Sequence, residues 1–168
     1  MSGVSLPRVL FGGVSSGSGK TTVACGVIQA LRNRGMRLSA FKCGPDFIDP
    51  MFHARVLGSP SHNLDLFFTE EETVRGLLLR HSAGAQLAVL EGVMGYYDGV
   101  GGTTPKAGSY DLSRATETPA VLVVPARGAS LSLAAVVGGF ARFRPDSGVC
   151  GAVLNRCPPA LYPRLKEC

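Results

Sequence analysis

Gly13-Val14-Ser15-Ser16-Gly17-Ser18-Gly19-Lys20-Thr21-Thr22 is the stretch that decides the fold. It follows a short apolar run at residues 9–11, closed by Gly12 and Gly13, and it precedes Val23, Val27, Ile28 and Leu31, which recur at helical spacing. Strand, glycine loop and helix in that order build a phosphate cradle. Glycines let successive N–H groups turn inward round an anion, and the helix aims its positive end at the same place. On this reading Ser15, Ser16, Gly17, Ser18, Gly19, Lys20, Thr21 and Thr22 surround a nucleotide. Lys20 neutralises its outer phosphates and the Thr21 hydroxyl ligates Mg2+. The strict pattern G-x-x-x-x-G-K-[ST] is not met, because Val14 takes the first glycine position and Gly13 lies one residue earlier. A glycine- and serine-rich turn with a surface lysine is the plainer alternative. The strand and helix flanks, the glycines beside the lysine and the double threonine argue against it.

Working outward, Gly35 ends the helix and residues 38–41 form a second strand with Lys42 at its carboxyl end. The loop CGPDFIDP follows, then a short helix over residues 51–57 behind Pro50. Residues 70–80 read as a helix, with Thr69 as N-cap and Glu72 completing a capping box. Residues 86–90 are a buried strand ending in Glu91, and a glycine-rich stretch at 92–108 leads to a helix at 110–116. Continuous apolar strands at 120–124 and 149–154 enclose a helix at 130–140. This alternation predicts an α/β, P-loop NTPase fold: a mostly parallel sheet with helices on both faces and ligands at the carboxyl ends of the strands.

The chain has 168 residues and is 45% hydrophobic, enough for one domain with a real core. No apolar run is long enough for a bilayer, and the opening residues lack a basic segment followed by an apolar one, so a cytoplasmic location is expected. Five cysteines without paired spacing read as reduced thiols. The net charge of +5 comes from scattered arginines; Arg32, Arg34 and Arg37 cluster where a helix end favours cations. No nucleic-acid partner is expected.

Carboxylates delivered to the phosphate-loop edge are the second signal. Glu91 stands directly after its strand, where Mg2+ needs one or two acidic oxygens beside Thr21. The segment FKCGPDFIDP brings Lys42 to a second strand end and places Asp46 and Asp49 in a proline-stiffened loop. There are only four lysines, and two of them, Lys20 and Lys42, sit in these loops, which suits a need for compact point charges. Asp98, in EGVMGYYDG, sits in a loop able to close over a substrate. His53, His62 and His81 lie in no recognisable nucleophile turn and are read as structural or surface residues.

The motifs GVSSGSGKTT, FKCGPDFIDPMFH, SHNLDLFF, EGVMGYYDG and LNR, in this order and spacing, resemble the amino-terminal domain of the cobyrinate a,c-diamide synthases, and more distantly dethiobiotin synthetase. The resemblance implies ATP-dependent amidation of the a and c acetates of a corrin ring, with ammonia as the nitrogen donor. It implies Mg2+ held by Thr21, Asp46 and Glu91, a tetrapyrrole pocket lined by Lys42, Asp46, Phe47 and Asp98, and Asn155 against adenine. Lys20, Lys42, Asp46, Glu91 and Asp98 are the implied catalytic group.

Two departures stand out. Pro125 and Arg127 replace an aspartate and a small residue of the family pattern. The family's glutamine-hydrolysing domain is not matched either, so the chain reads as one shortened synthetase domain over residues 1–168, supplied with ammonia directly or by a separate glutaminase. Shortening would leave an apolar patch suited to a homodimer. Other readings are a fragment that binds ATP without amidating, action on hydrogenobyrinate or nickel-sirohydrochlorin, and a switch-type P-loop ATPase. The last is disfavoured by Ser15, which stands where such ATPases carry an extra lysine.

Overall fold

The computed structural model describes residues 6–167, so Cys168 and the first five residues lie outside the described residues. The elements in chain order are β1 (Arg8–Gly13), α1 (Lys20–Asn33), β2 (Leu38–Cys43), α2 (Ile48–Arg55), β3 (Ser61–Leu64), α3 (Glu71–His81) and β4 (Leu87–Glu91). A 3-10 turn (Val100–Gly102) is followed by α4 (Ser109–Ala115), β5 (Ala120–Pro125), α5 (Ser132–Arg142), β6 (Val149–Asn155) and α6 (Tyr162–Lys166). The strands form one sheet in the order β3-β2-β4-β1-β5-β6, and every pairing is parallel. No helix among the described residues is long and apolar enough to cross a membrane.

The four central strands β2, β4, β1 and β5 are largely buried on both faces, which is why they read as apolar runs without alternation, whereas alternate residues of the edge strand β6 are exposed. Successive side chains point to opposite sides. Phe11, Ala40, Val89 and Val123 pack with Ala24 and Ile28 of α1, whereas Leu10, Leu90, Leu122 and Val124 share a cluster with Val74 and Leu78 of α3, Leu112 of α4 and Leu133 of α5. Each fully buried leucine or valine contributes roughly 1.5–3 kcal/mol relative to exposure.

Three local expectations change. Helix α2 begins at Ile48 and takes Pro50 into its first turn, where a missing N–H costs nothing. Asp46 Oδ1 accepts the N–H groups of Ile48 (2.8 Å) and Asp49 (3.3 Å), fixing where the helix starts. Strand β3, sequence SHNL, is an unanticipated edge strand. The capping box at α3 does not form: Glu70 is the N-cap without a side-chain capping bond, and Thr69 Oγ1 instead donates to the Asp65 carbonyl at 2.5 Å. Glu71 and Glu72 still place negative charge against the positive end of the helix.

Candidate nucleotide site

The central strand β1 runs into the phosphate loop, and α1 leaves it. Gly19, at φ 93°, is the left-handed residue that caps α1, and a β-carbon there would also collide with the side-chain amide of Asn155. The loop is braced from within: Ser18 Oγ donates to the Ser15 carbonyl (2.8 Å) and accepts the Ser15 N–H (3.1 Å). Asn155, at the end of β6, donates through Nδ2 to the Ser18 carbonyl at 2.9 Å. Ser15, Ser16, Gly17, Thr21 and Thr22 are exposed around this frame. Lys20 is buried, and its Nζ donates to the carbonyls of Met94 (2.6 Å) and Ser15 (3.3 Å).

Beside the loop lies a buried ionic group. Lys42 and Glu91 are register partners on β2 and β4. Lys42 Nζ donates to Glu91 Oε1 at 2.8 Å and to Asp49 Oδ2 at 2.6 Å, with Asp46 Oδ2 at 3.9 Å. Glu91 Oε1 also accepts the Thr21 hydroxyl at 2.5 Å, tying α1 to β4 across 70 residues of sequence. Glu91 Oε2 faces His53 Nε2 at 3.5 Å, and both atoms are buried without a hydrogen-bond partner.

Burial alone would discharge these groups, and pairing prevents it. Burial pushes the Glu91 carboxyl up, but His53, Lys42 and Thr21 outweigh it and hold the group well below the usual carboxylate range. Burial likewise pulls Lys42 down, yet Glu91 and Asp49 leave it above its ordinary value. Lys20 is lowered by burial and then by Lys42, with Glu91 and Asp98 opposing. The result is that pairing favours the charged forms of Glu91 and Lys42 beside the mouth of the loop.

The remaining expected residues occupy the rim. Asp98 Oδ2 accepts the Gly95 N–H at 3.0 Å, shaping the loop whose Met94 carbonyl meets Lys20. That loop is docked on β1 by the Tyr96 N–H, which donates to the Gly13 carbonyl at 2.7 Å. Phe47 is 77% exposed, outside the ionic group, on a depression of about 290 Å3 that it lines with Asp46, Met51 and Asn63. Pro125 still pairs with Asn155 in the β5–β6 register, and Arg127 is exposed.

Two members of the group were not assigned a role from sequence. Asp49 is nearer to Lys42 than Asp46 is, and His53, read as a structural or surface residue, is almost wholly buried. The signal was present: Asp49 and His53 are four residues apart on α2, hence on one helix face.

A phosphate loop of this build at the carboxyl edge of a parallel sheet makes the chain a P-loop nucleotide-binding domain. It belongs to the CobQ/CobB/MinD/ParA nucleotide binding domain family, whose model matches residues 9–167. Among curated relatives, a cobyrinate a,c-diamide synthase from Listeria innocua is 41% identical over 150 residues, covering 89% of this chain and 33% of that protein. A hydrogenobyrinate a,c-diamide synthase from Streptomyces coelicolor is 43% identical over 155 residues, covering 92% and 32% respectively. The chain therefore spans about one third of the length of the curated relatives it matches. Solved structures of FtsY share the fold: the chloroplast protein of Physcomitrella patens at TM-score 0.62 and 14% identity, covering 91% of this chain and 50% of that one, and the Elizabethkingia anophelis receptor at 0.64 and 10%, covering 90% and 51%.

Proposed function

We propose that this chain is the synthetase domain of a tetrapyrrole amidoligase: it uses ATP to convert the a and c acetate carboxylates of cobyrinic acid into amides, a step of cobalamin biosynthesis. The observation that supports this most is the linked Thr21–Glu91–Lys42–Asp49 group beside the phosphate loop, in a chain that aligns over 89% of its length with a cobyrinate a,c-diamide synthase.

In the proposed reaction a substrate carboxylate oxygen attacks the γ-phosphorus of ATP and ADP leaves, giving an acyl phosphate. Ammonia, free or delivered by a glutaminase, then attacks the acyl carbon. Phosphate departs with the C–O bond electrons, and the nitrogen gives up a proton. Such chemistry depends on positioning and charge neutralisation more than on covalent help. Lys20 exchanges the Met94 carbonyl for phosphate oxygens. Lys42 draws the substrate carboxylate toward the phosphate loop, and Asp98 orients the loop and the incoming nitrogen. Phe47 offers an apolar face to the macrocycle at the rim, and Asn155 supports the loop and borders the base.

The donors present fit Mg2+. Glu91 Oε2 is a buried oxygen without a partner, the Thr21 hydroxyl lies on the same carboxylate, and Asp46 has one oxygen not engaged by backbone N–H groups. These are hard oxygen ligands, as Mg2+ prefers. Thr21, Glu91 and Asp46 would hold the ion, and when bound it neutralises charge on the phosphates.

The test is incubation of the purified chain with ATP, ammonium and cobyrinic acid, following ADP release and the mass of the corrinoid. Amide formation coupled to ADP is the expected result; ATP binding with no amide product would sink the proposal. The 43% identity to a hydrogenobyrinate enzyme favours one second reading, and the metal-free corrin in a parallel reaction separates the two substrates.

A further inference from the structure

We infer that His53 is a positioning residue for Glu91: its Nε2–H keeps the second carboxylate oxygen, Oε2, aimed at the place where a divalent cation binds. This rests on the nucleotide-site reading above and adds to it a residue outside the phosphate loop and the strand ends.

The two oxygens of Glu91 are treated differently by the fold. Oε1 is filled, accepting the Thr21 hydroxyl at 2.5 Å and the Lys42 ammonium at 2.8 Å. Oε2 has no hydrogen-bond partner although Glu91 is 1% exposed, and the polar atom placed against it is His53 Nε2, 3.5 Å away. A buried carboxylate oxygen left in this condition costs free energy unless something else binds it.

His53 is itself fixed. It is 1% exposed on the last turn of α2, and its Nδ1 lies 3.2 Å from Ser61 Oγ at the start of β3. With the Ser61 hydroxyl donating to Nδ1, the ring proton sits on Nε2 and faces Oε2. This is the arrangement by which outer partners orient a metal-binding group: the second ring nitrogen is tied down, so the first points one way. At 3.5 Å the contact is long, so it restrains rotation of the carboxylate while leaving Oε2 with a lone pair to give. Asp49, one turn earlier on α2, holds Lys42 on Oε1, so a single helix fixes both ends of the same carboxylate.

The test uses the full chain and a fluorescent ATP analogue, titrated with Mg2+ and in EDTA, with thermal midpoints recorded alongside. In His53→Leu the Mg2+ concentration giving half of the metal-dependent gain in nucleotide affinity rises about 10-fold, the range for lost outer partners, and affinity in EDTA is unchanged. His53→Gln, whose amide nitrogen reaches the place of Nε2, stays close to the wild type. His53→Asn, whose amide reaches only the place of Nδ1, behaves like His53→Leu and decides the matter if the leucine variant does not fold. A wild-type Mg2+ response in His53→Leu or His53→Asn overturns the assignment, and so does an equal loss in His53→Gln, which would mark a packing role only. A wild-type chain whose nucleotide binding shows no Mg2+ dependence overturns the site reading itself.

Discussion

Lys42 and Glu91 are adjacent at the carboxyl ends of two neighbouring parallel strands, 2.8 Å apart and both almost fully buried. The pair joins α2 to the phosphate loop, because Glu91 also holds Thr21 and Lys42 also holds Asp49.

Removing one partner leaves a charge buried without its counterpart. Lys42→Ala is expected to destabilise the fold by about 3–5 kcal/mol in urea denaturation. Adding Glu91→Gln to Lys42→Ala recovers part of that loss, since the second change removes the orphaned charge. Strict additivity of the two single changes would contradict the coupling.

Lys20→Ala is expected to abolish ATP turnover and weaken nucleotide binding, because the loop loses its buried cation. Asp98→Ala, acting through Gly95 and the loop, spares nucleotide affinity and reduces amidation. Both are read by ADP release and by binding of a fluorescent nucleotide, and an equal loss of affinity in the two variants would end this division of roles.

Gly17 and Gly19 both have positive φ, at 74° and 93°, but only Gly19 has Asn155 where a β-carbon would go. Gly17→Ala therefore carries backbone strain alone, of order 1 kcal/mol. Gly19→Ala must also displace the clamp between Asn155 and Ser18. The expected outcome is a larger fall in nucleotide affinity for Gly19→Ala, partly restored by Asn155→Ala in the same chain.

His62 stacks on His81 with ring centroids 3.7 Å apart. Burial, and then the neighbouring ring, hold His62 below its ordinary value of 6.5. The unfolded chain thus takes up this proton more readily than the folded one. The contribution is fully present above about pH 6.5 and is lost as pH falls through the lower folded value. The thermal midpoint is expected to drop between pH 7.5 and 5.5 by less in His62→Phe than in the wild type; an unchanged drop would show that the stack is not responsible.

Much of this was legible in the residues because parallel strands buried on both faces are continuous apolar runs, and a glycine loop between strand and helix has few other uses. Strand β3 escaped because SHNL is short, polar and at the sheet edge, so its hydrogen bonds depend on β2 and not on its own pattern. The capping box is absent because the Thr69 hydroxyl turns back to donate to the Asp65 carbonyl and Glu70 takes the N-cap position, a competition within one loop that spacing alone cannot rank. His53 stayed open between structural and surface because a histidine four residues beyond an aspartate marks a shared helix face, and only the docking of α2 beside β2 and β3 decides whether that face is wet or dry.

The order of the strands also sets a timetable. The strand that bears the phosphate loop, β1, precedes the rest of the sheet in the chain, yet its neighbours are β4 and β5. Until Val123 has been synthesised, both edges of β1 cannot be closed, and the bond between Thr21 and Glu91 has no acceptor until β4 exists. The nascent chain therefore carries an apolar, unpaired ribbon until β4 and β5 have been made, a slow, non-local route to assembly. Nucleotide can reward that route only after it is finished, so it acts on this fold as a late fastener and not as a template.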